Sequence, residues 1–445
     1  MKKDVIQLSD HFTLKRLLKF VLPPIIMMIF TSIYCVVDGI FVSNYTNKTA
    51  FAAINLVMPF IMILGGMGFM IGAGGTALVT KIMGEGDMQK ANRYFSMMIF
   101  FTVILGAVLT ALGIIFISPI SVLLGATAEM MKYCVIYGII VIAFTLPFML
   151  QNVFHSFLIA AEKPRLGLLV TVIAGVTNMF LDFLFVGVFR WEVAGAAIAT
   201  GISQMVGAAI PFIFFVMPNS SPLRLKLAKL EFKPILQACW NGSSELMSNI
   251  SSSVVGIVYN VQLLKYYGED GVSAYGVLMY VNFVFVATFI GYSIGSAPII
   301  GYNYGAQNHD EMHNVLKKSI TIMGVLGVAM TIFALTCSPL FAKVFVGSYP
   351  DLYALTCKAF VYSSFAFMLA GFNIYMSSFF TALNNGGISA AISFMRTLVF
   401  QCASVIVLPL IIGKDGIWLA VTLAEVFAFV LSLIFLLANR KKYNY

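Results

Sequence analysis

Twelve long apolar runs constrain the fold of this chain more than any other feature of its sequence. Each run holds about 20 or more mostly apolar residues, the length an α-helix needs to cross ~30 Å of hydrocarbon at ~1.5 Å per residue. Period-two alternation is absent from them, which argues against strands. The predicted spans cover approximately residues 17–42, 51–80, 94–119, 131–160, 166–189, 193–217, 235–264, 271–301, 315–340, 352–382, 388–411 and 416–438.

Composition supports lipid as the solvent for most of this chain. Of its 445 residues, 60% are hydrophobic and only 10% are charged, whereas a soluble domain carries about 25% charged residues. This balance excludes a cytosolic enzyme, a nucleic-acid-binding domain and a secreted disulfide scaffold. The six cysteines form no C-x-x-C pair and are predicted to pack as small apolar side chains. No nucleic-acid partner is expected, since basic residues in a membrane protein mark cytoplasmic loops.

The distribution of basic residues predicts the orientation of the chain. With the N-terminus inside, 19 Lys and Arg residues fall on the inner side and 7 in the outer loops, while Arg396 lies within a span. This excess predicts that both termini are cytoplasmic. The polar segment 1–19 lacks an apolar stretch ending in a small-residue cleavage motif, so no cleaved signal is expected.

A charged connection, residues 218–234, divides the chain into two lobes of six helices each, residues 1–217 and 235–445. Its leucines are interleaved with basic residues, which favours a short amphipathic helix on the inner leaflet. A shift of 221–222 residues aligns the halves, so that the loop at Gly84 meets the loop at Gly305. Six spans per half give both copies one orientation, which predicts two facing bundles with a cleft for alternating access.

Four acidic residues lie well inside predicted spans: Asp38, Asp182, Glu245 and Glu425. A charge at mid-membrane costs about 2.5–3.5 kcal/mol on insertion scales, so each needs a partner, a water-filled cavity or a proton. Buried acids of this kind usually mark an ion or substrate pathway.

The first half brings four oxygen-bearing side chains to comparable depth in spans one, five and six. Asn178 and Asp182 are four residues apart and share one helix face. Asp38 and Thr200 lie at similar depth. Carboxylates supply charge, while amide and hydroxyl oxygens complete the shell of a hard cation or a proton relay. The set predicts a site for H⁺ or Na⁺, with no other metal and no cofactor. The alternative is that each acid only satisfies neighbouring polar groups.

The second half contains a further set of buried charges. Glu245 in span seven and Arg396 in span eleven lie at similar depth and could form an ion pair, either as a stability element or, with Glu425, as a substrate or ion site. Early in span one, Pro23 and Pro24 remove backbone donors and predict a helix kink at Pro23.

Several motifs together resemble the multidrug and toxic compound extrusion (MATE) family over nearly the whole chain. They are Asn178-Met-Phe-Leu-Asp182, Gly195-Ala-Ala-Ile-Ala-Thr200, Val37-Asp38 and the paired loops Gly84-Glu-Gly-Asp87 and Gly301-Tyr-Asn-Tyr-Gly305. The stretch Gly242-Ser-Ser-Glu245-Leu-Met is similar to that of the bacterial DinF- and MepA-like subgroup.

The resemblance implies a V-shaped pair of six-helix bundles that exports organic cations against an inward flow of H⁺ or Na⁺. It implies that Asp38, Asn178, Asp182 and Thr200 form the first-lobe cation site, and that Pro23 is the point at which span one bends. One departure concerns span seven, where the family commonly has Gly-x-Pro and this chain has Gly242-Ser-Ser-Glu245. The added acid could move part of the binding into the second lobe.

The sequence therefore predicts a secondary antiporter that exports small organic cations or other amphipathic drugs. We expect a monomer in contact with membrane lipid, in a bacterial plasma membrane. Two alternatives within the same superfamily are a flippase of a lipid-linked precursor and an exporter of one specific metabolite. A major-facilitator transporter fits the loop at Gly84–Arg93 poorly, and an intramembrane enzyme lacks H-E-x-x-H, G-x-S-x-G and clustered histidines.

Overall fold

The computed structural model describes residues 6–445, without the side chains at positions 40, 43, 44 and 48. The regular secondary structure of this part of the chain consists entirely of helices and contains no strand. The helices of the first half are α1 (Leu14–Tyr45), α2 (Lys48–Gly84), α3 (Met88–Leu123), α4 (Ala128–Ala143), α5 (Thr145–Ala160), α6 (Pro164–Asp182) and α7 (Glu192–Val216), with a π-helical segment Phe183–Val188 after α6.

The second half repeats this arrangement with small changes. Its helices are α8 (Phe232–Asn241), α9 (Ser243–Gly305), α10 (His309–Val346), α11 (Pro350–Ser364), α12 (Phe367–Ala382), α13 (Gly386–Phe394), α14 (Gln401–Ile412) and α15 (Gly416–Tyr443), with a π-helical segment Met395–Phe400 between α13 and α14.

The described residues form the twelve predicted spans. Nine helical stretches are long and apolar enough to cross a membrane singly, and the bent pairs α4–α5 and α11–α12 raise the number to eleven. The 63 residues of α9 would extend ~95 Å as one straight helix, far more than a bilayer requires. Gly268 interrupts it with φ 65° and ψ −151°, a conformation that only glycine adopts readily, so α9 is two spans.

The internal repeat is visible in the backbone at the predicted offset. Each half contains a span broken near its middle, with bends of 48° between α4 and α5 and 49° between α11 and α12. Asp87 and Asn308 occupy matching positions, and their side chains cap α3 and α10. Glu162 and Asn384 also match, and both have left-handed backbones, with φ 60° and 57°. The two lobes are therefore pseudo-symmetric copies of one six-helix unit.

The interlobe connection is extended, so the expectation of an amphipathic helix within 218–234 was wrong for all but its last residues. Helix α8 begins only at Phe232. The extended backbone finds its hydrogen-bond partners on α3: Arg224 N–H donates to Asn92 Oδ1 at 2.6 Å, and Lys226 N–H to Ser96 Oγ at 2.9 Å. The Leu223 side chain is buried, whereas the neighbouring basic side chains of Arg224 and Lys226 are exposed. This period-two alternation suits an extended segment.

Closely packed glycines join the two lobes along a seam. This seam lies toward the face that carries the start of α1 and the end of α15, here called the terminal face; the opposite face is called the far face. A Cβ atom at Gly74 would lie 1.9 Å from the Ala238 carbonyl oxygen, and one at Gly84 would lie 2.0 Å from that of Tyr302. At Gly291 it would lie 2.6 Å from Ile25 Cα. The lobes therefore meet backbone to backbone on the terminal side.

Residues 6–13 cross the terminal ends of both lobes and are called here the N-terminal strap. The Leu8 N–H donates to Glu162 Oε1 of the first lobe at 2.8 Å. The Phe12 N–H donates to Glu311 Oε1 of the second lobe at 2.8 Å, and His11 Nδ1 lies 2.6 Å from Glu311 Oε2. The side chains of Leu8 and Phe12 are fully buried. The strap thus has one anchor on each lobe.

Replacing Glu311 by Gln is expected to loosen the second anchor of the strap. The neutral amide weakens the charge-assisted bonds to His11 and Phe12, a loss of about 1.5 kcal/mol, or roughly tenfold faster local opening. Amide hydrogen exchange at Phe12 measures this opening. The neighbouring Asp310→Asn, at an exposed position, is the matched control, and equal exchange in both variants would contradict the assigned anchor.

A small ion pair on the far face gives a pH-dependent contribution to stability. Asp415, just before α15, accepts hydrogen bonds from Lys358 Nζ and Tyr267 Oη, both at 2.6 Å. The Lys358 ammonium, followed by the Tyr267 hydroxyl, lowers the pKa of Asp415 below its usual 3.8. Stability from this carboxylate is therefore present above pH ~4 and is lost as the pH falls through the lowered value. Because the group is partly solvent-exposed, the contribution is under ~1 kcal/mol.

Asp415→Asn should accordingly flatten the decline of Tm below pH ~4. Thermal unfolding of the purified protein between pH 6 and pH 3 measures the effect. Asp351→Asn, at another exposed acid near the far face, should leave the wild-type decline in place. An Asp415→Asn profile parallel to the wild type would show that the pair contributes nothing.

Candidate functional site

Two of the predicted site residues lie on the last turn of α6, where the helix changes its winding. Asn178 and Asp182 are four residues apart on one face and are 1% and 0% exposed. The π-helical segment Phe183–Val188 begins directly after Asp182. Such wider turns in a helix frequently occur at functional sites. They shift side chains away from the positions that a regular α-helix would give them.

A glycine brings this face of α6 against α1. A Cβ atom at Gly175 would lie 2.5 Å from the Phe30 ring and 2.9 Å from the Tyr34 ring, so only glycine allows this approach. Tyr34 is one helical turn before Asp38 on α1. The close packing of the two helices therefore places the Asp38 side chain at the level of Asp182.

The structure places the carboxyl groups of Asp38 and Asp182 close enough for each to influence the other electrostatically. Asp38 Oδ1, Asn178 Oδ1 and both carboxyl oxygens of Asp182 are buried and accept no hydrogen bond from any described residue. Buried acceptors are normally satisfied in folded proteins. These four buried oxygens without a hydrogen bond therefore mark a candidate site. A proton or a water molecule would satisfy them by hydrogen bonding, and a small cation would satisfy them by coordination.

Two further side chains bear on which residues belong to this site. Tyr137 on α4 is buried and lies close enough to Asp38 and Asp182 for their charges to act on its hydroxyl group. Sequence reasoning missed it, because nothing distinguishes it from other tyrosines in an apolar run. Thr200 on α7 is half-buried, and among described contacts its hydroxyl touches neither carboxyl. Its place in the cation site stays a prediction.

The candidate ligands of the site are all oxygen atoms. Its candidate ligands are two carboxyl groups and one amide oxygen, from α1 and α6. Within residues 6–445, no group of three or more His, Cys, Asp or Glu side chains gathers to hold a metal ion.

In the second lobe, the expected pairing of Arg396 with Glu245 was wrong. Arg396 pairs with Glu425 of α15: its Nη2 lies 2.7 Å from Oε1, and its Nε lies 2.9 and 3.0 Å from the two carboxyl oxygens. Asn373 Nδ2 donates to Glu425 Oε2 at 2.7 Å. The π-helical segment that contains Arg396 packs on both α15 and α9. Glu245, however, lies in the first turn of α9 and borders a different cavity from Arg396. Position along the membrane normal could not reveal which helix faced Arg396.

Glu245 instead lies between the lobes. It borders a small cavity of about 50 Å³ whose walls include Thr76 and Ser156 from the first lobe and Thr381 from the second. The three predicted second-lobe residues thus divide into the pair Arg396–Glu425 and a separate Glu245 at the interlobe seam.

Pro23 and Pro24 lie within α1, which remains helical from Leu14 to Tyr45. Pro24 packs against the second lobe, 3.2 Å from the position that a Cβ atom at Gly295 would take. Bending at Pro23 stays a prediction, and the structure places this proline pair at the interlobe seam.

Twelve spans, two facing copies of a six-helix unit and a buried acid pair define a membrane transporter. The sequence model of the MatE family matches residues 23–184 and 246–406, two stretches of nearly equal length, one in each lobe. The chain therefore belongs to the MATE family and is a transporter, not an enzyme. The offset between the matched stretches is 223 residues at their first residues and 222 at their last, in agreement with the internal repeat.

Curated relatives lie within the same family. The chain is 27% identical over 325 residues to the multidrug export protein MepA of Staphylococcus aureus (strain MRSA252), covering 72% of this chain and 71% of that protein. It is 26% identical over 321 residues to the MepA of Staphylococcus haemolyticus, covering 72% and 70%. The recognition of a MepA-like MATE protein from sequence is confirmed.

Solved structures confirm the fold. An outward-facing multidrug resistance MATE family transporter of the MOP superfamily superposes with a TM-score of 0.93 at 20% identity, covering 100% of this chain and 99% of that one. A MATE in the straight conformation gives 0.91, and a MATE in the bent conformation gives 0.88, both at 20% identity and with at least 99% of each chain covered.

Proposed function

We propose that this protein is a multidrug antiporter that exports organic cations in exchange for H⁺ or Na⁺. The Asp38–Asp182 pair is the observation that carries the proposal. Two neighbouring carboxylates inside a membrane protein repel each other and are poorly solvated, so the pair favours a bound proton or cation. The names of the MepA relatives support a multidrug cargo.

Coupling follows from competition for negative charge. A coupling ion that neutralises the pair removes the charge that attracts a cationic cargo to the same lobe, and the cargo in turn weakens ion binding. Such reciprocal weakening is the linkage that exchange transport requires. Each ligand would then favour a different arrangement of the two lobes, which is alternating access in thermodynamic terms.

The direction of transport follows from the closed seam and the charge asymmetry. The excess of Lys and Arg on the terminal side favours a cytoplasmic terminal face in a bacterial plasma membrane. Since the lobes pack backbone to backbone on that side, the coupling ion would reach the pair from outside. The second lobe offers no free buried base for a pyrophosphate, because Glu425 already neutralises Arg396. This disfavours the flippase alternative.

The decisive experiment uses purified protein in proteoliposomes loaded with ethidium. A pH gradient and a Na⁺ gradient are imposed separately, and dye efflux is followed by fluorescence. We expect one of the two gradients to drive efflux well above the rate of protein-free liposomes. Efflux that ignores both gradients would refute ion-coupled antiport, and it would leave the family assignment untouched.

A further inference from the structure

A cavity of about 220 Å³ lies inside the second lobe, separate from the acid pair of the first. Aromatic side chains form much of its wall. The rings of Tyr259 and Tyr275 stack at 5.0 Å with an angle of 5° between their planes. Trp418 and Phe367 contribute further apolar surface. A flat aromatic molecule would match these walls in shape and polarity, since stacked or edge-on rings are favourable arrangements.

The charges that reach this cavity cancel. Arg396 and Glu425 both line it, and they form the fork-shaped ion pair described above. Asn373 fixes the second carboxyl oxygen of Glu425, so the acid is fully engaged. The cavity therefore attracts neither an anion nor a cation by net charge. In this it differs from the Asp38–Asp182 site, which carries uncompensated acid.

Hydrogen-bond donors nevertheless remain free inside the cavity. Arg396 uses Nε and Nη2 for Glu425, and no described residue engages its Nη1. The Tyr259 hydroxyl is buried, its side chain lines the cavity, and it has no partner among the described residues. A buried donor without a partner is costly, so an acceptor oxygen beside the Tyr259 hydroxyl would be bound favourably.

We propose that the second lobe binds an uncharged, flat aromatic molecule that accepts hydrogen bonds from Arg396 and Tyr259 through a carbonyl oxygen. The cavity is then a cargo subsite, an assignment that rests on the proposed function. In this arrangement an uncharged cargo and the coupling ion occupy different lobes, whereas a cationic cargo is drawn to the acid pair of the first lobe. The exporter accordingly accepts neutral carbonyl-bearing aromatics as well as organic cations.

The chain provides its own reporter for this site. Of its three tryptophans, Trp418 lines the cavity, while Trp191 and Trp240 are exposed elsewhere. In a Trp191→Phe/Trp240→Phe background, 7-methoxycoumarin binding is followed by energy transfer from Trp418. Two bicyclic molecules serve as competitors against the bound coumarin. Naphthalene has no hydrogen-bond acceptor, and N-methylquinolinium carries a positive charge.

We expect saturable transfer to 7-methoxycoumarin that unlabelled coumarin displaces at least about tenfold more effectively than either competitor, because only coumarin satisfies the free donors. Absence of saturable transfer would overturn the proposal. Equal displacement by N-methylquinolinium would also overturn it, since it would show a site selected by charge or shape alone.

Variants separate this site from the acid pair. Arg396→Gln/Glu425→Gln removes the guanidinium donors without leaving a buried charge unpaired, and should weaken coumarin binding about tenfold; Tyr259→Phe should weaken it about threefold. If the double variant does not fold, the Tyr259→Phe result decides. Asp182→Asn should leave coumarin binding at the wild-type level. Because binding is measured without ion gradients, the result does not depend on whether the protein is an antiporter. Unchanged coumarin binding in both cavity variants would refute the subsite.

Discussion

Asp38→Asn and Asp182→Asn should each reduce gradient-driven dye efflux about 100-fold in proteoliposomes, the change expected when ~3 kcal/mol of coupling free energy is lost. The amide keeps the size of the side chain but cannot take up the proton or supply the charge that the coupling ion needs. Both residues lie in the acid pair between α1 and α6, so either single change should be nearly as damaging as both together.

Stability should move in the opposite direction to activity. An unpaired buried charge is expensive, so a neutral amide at either position should leave Tm unchanged or raise it. Asp351→Asn, at an exposed acid on the far side, is the control with wild-type efflux. Undiminished efflux in Asp38→Asn and Asp182→Asn would remove the acid pair from the mechanism, whichever ion drives transport.

Gly74→Ala should push the lobes apart on the terminal side and reduce efflux at least about tenfold. Its new methyl group would lie 1.9 Å from the Ala238 carbonyl oxygen and 2.6 Å from the Gly242 nitrogen. Backbone atoms cannot rotate away, so the seam itself must shift, at a cost of about 1–3 kcal/mol. The closed terminal side would then be less populated, and exchange would become leaky or stop.

Cys239, directly after Ala238, reports on the seam. It is half-buried, and in a background in which the other five cysteines are replaced, its labelling by a maleimide should accelerate in Gly74→Ala. Gly256→Ala on α9 is the matched control, because a Cβ atom there meets nothing within 4 Å. That change should be neutral or stabilising through helix propensity alone. Equal labelling in both variants would show that the seam tolerates the added methyl group.

Much of the fold could be predicted because the bilayer limits the possibilities. Span length, basic loops and a repeated loop motif specify twelve helices in two copies, and the structure agrees. Asp38 and Asp182 could be found for a similar reason, since buried acids are rare enough to be informative. That they lie near each other depends on tertiary packing, namely the close approach of α1 and α6 that Gly175 allows.

The failures have equally physical causes. Arg396 was assigned the wrong acid because depth along one axis does not specify which helices face each other. The connection before α8 was expected to be helical, although Leu223 and Leu225 alternate with Arg224 and Lys226. That period of two is the signature of an extended segment. The hydroxyl and amide groups of α3 that pair with its backbone lie 130 and 132 residues away. Nothing in the sequence distinguishes Tyr137 from the other tyrosines, because its place near the acid pair depends on which helices pack together.

The N-terminal strap sets a length limit on how this protein can move. Leu8, whose amide binds Glu162, and Phe12, whose amide binds Glu311, are only four positions apart, and four extended residues reach at most ~14 Å. The rims of the two bundles therefore cannot separate further than this short tether permits while both ends stay attached. Any wider opening on that side must begin with the release of one of these two hydrogen bonds, which makes residues 8–12 part of the barrier to separating the bundles there.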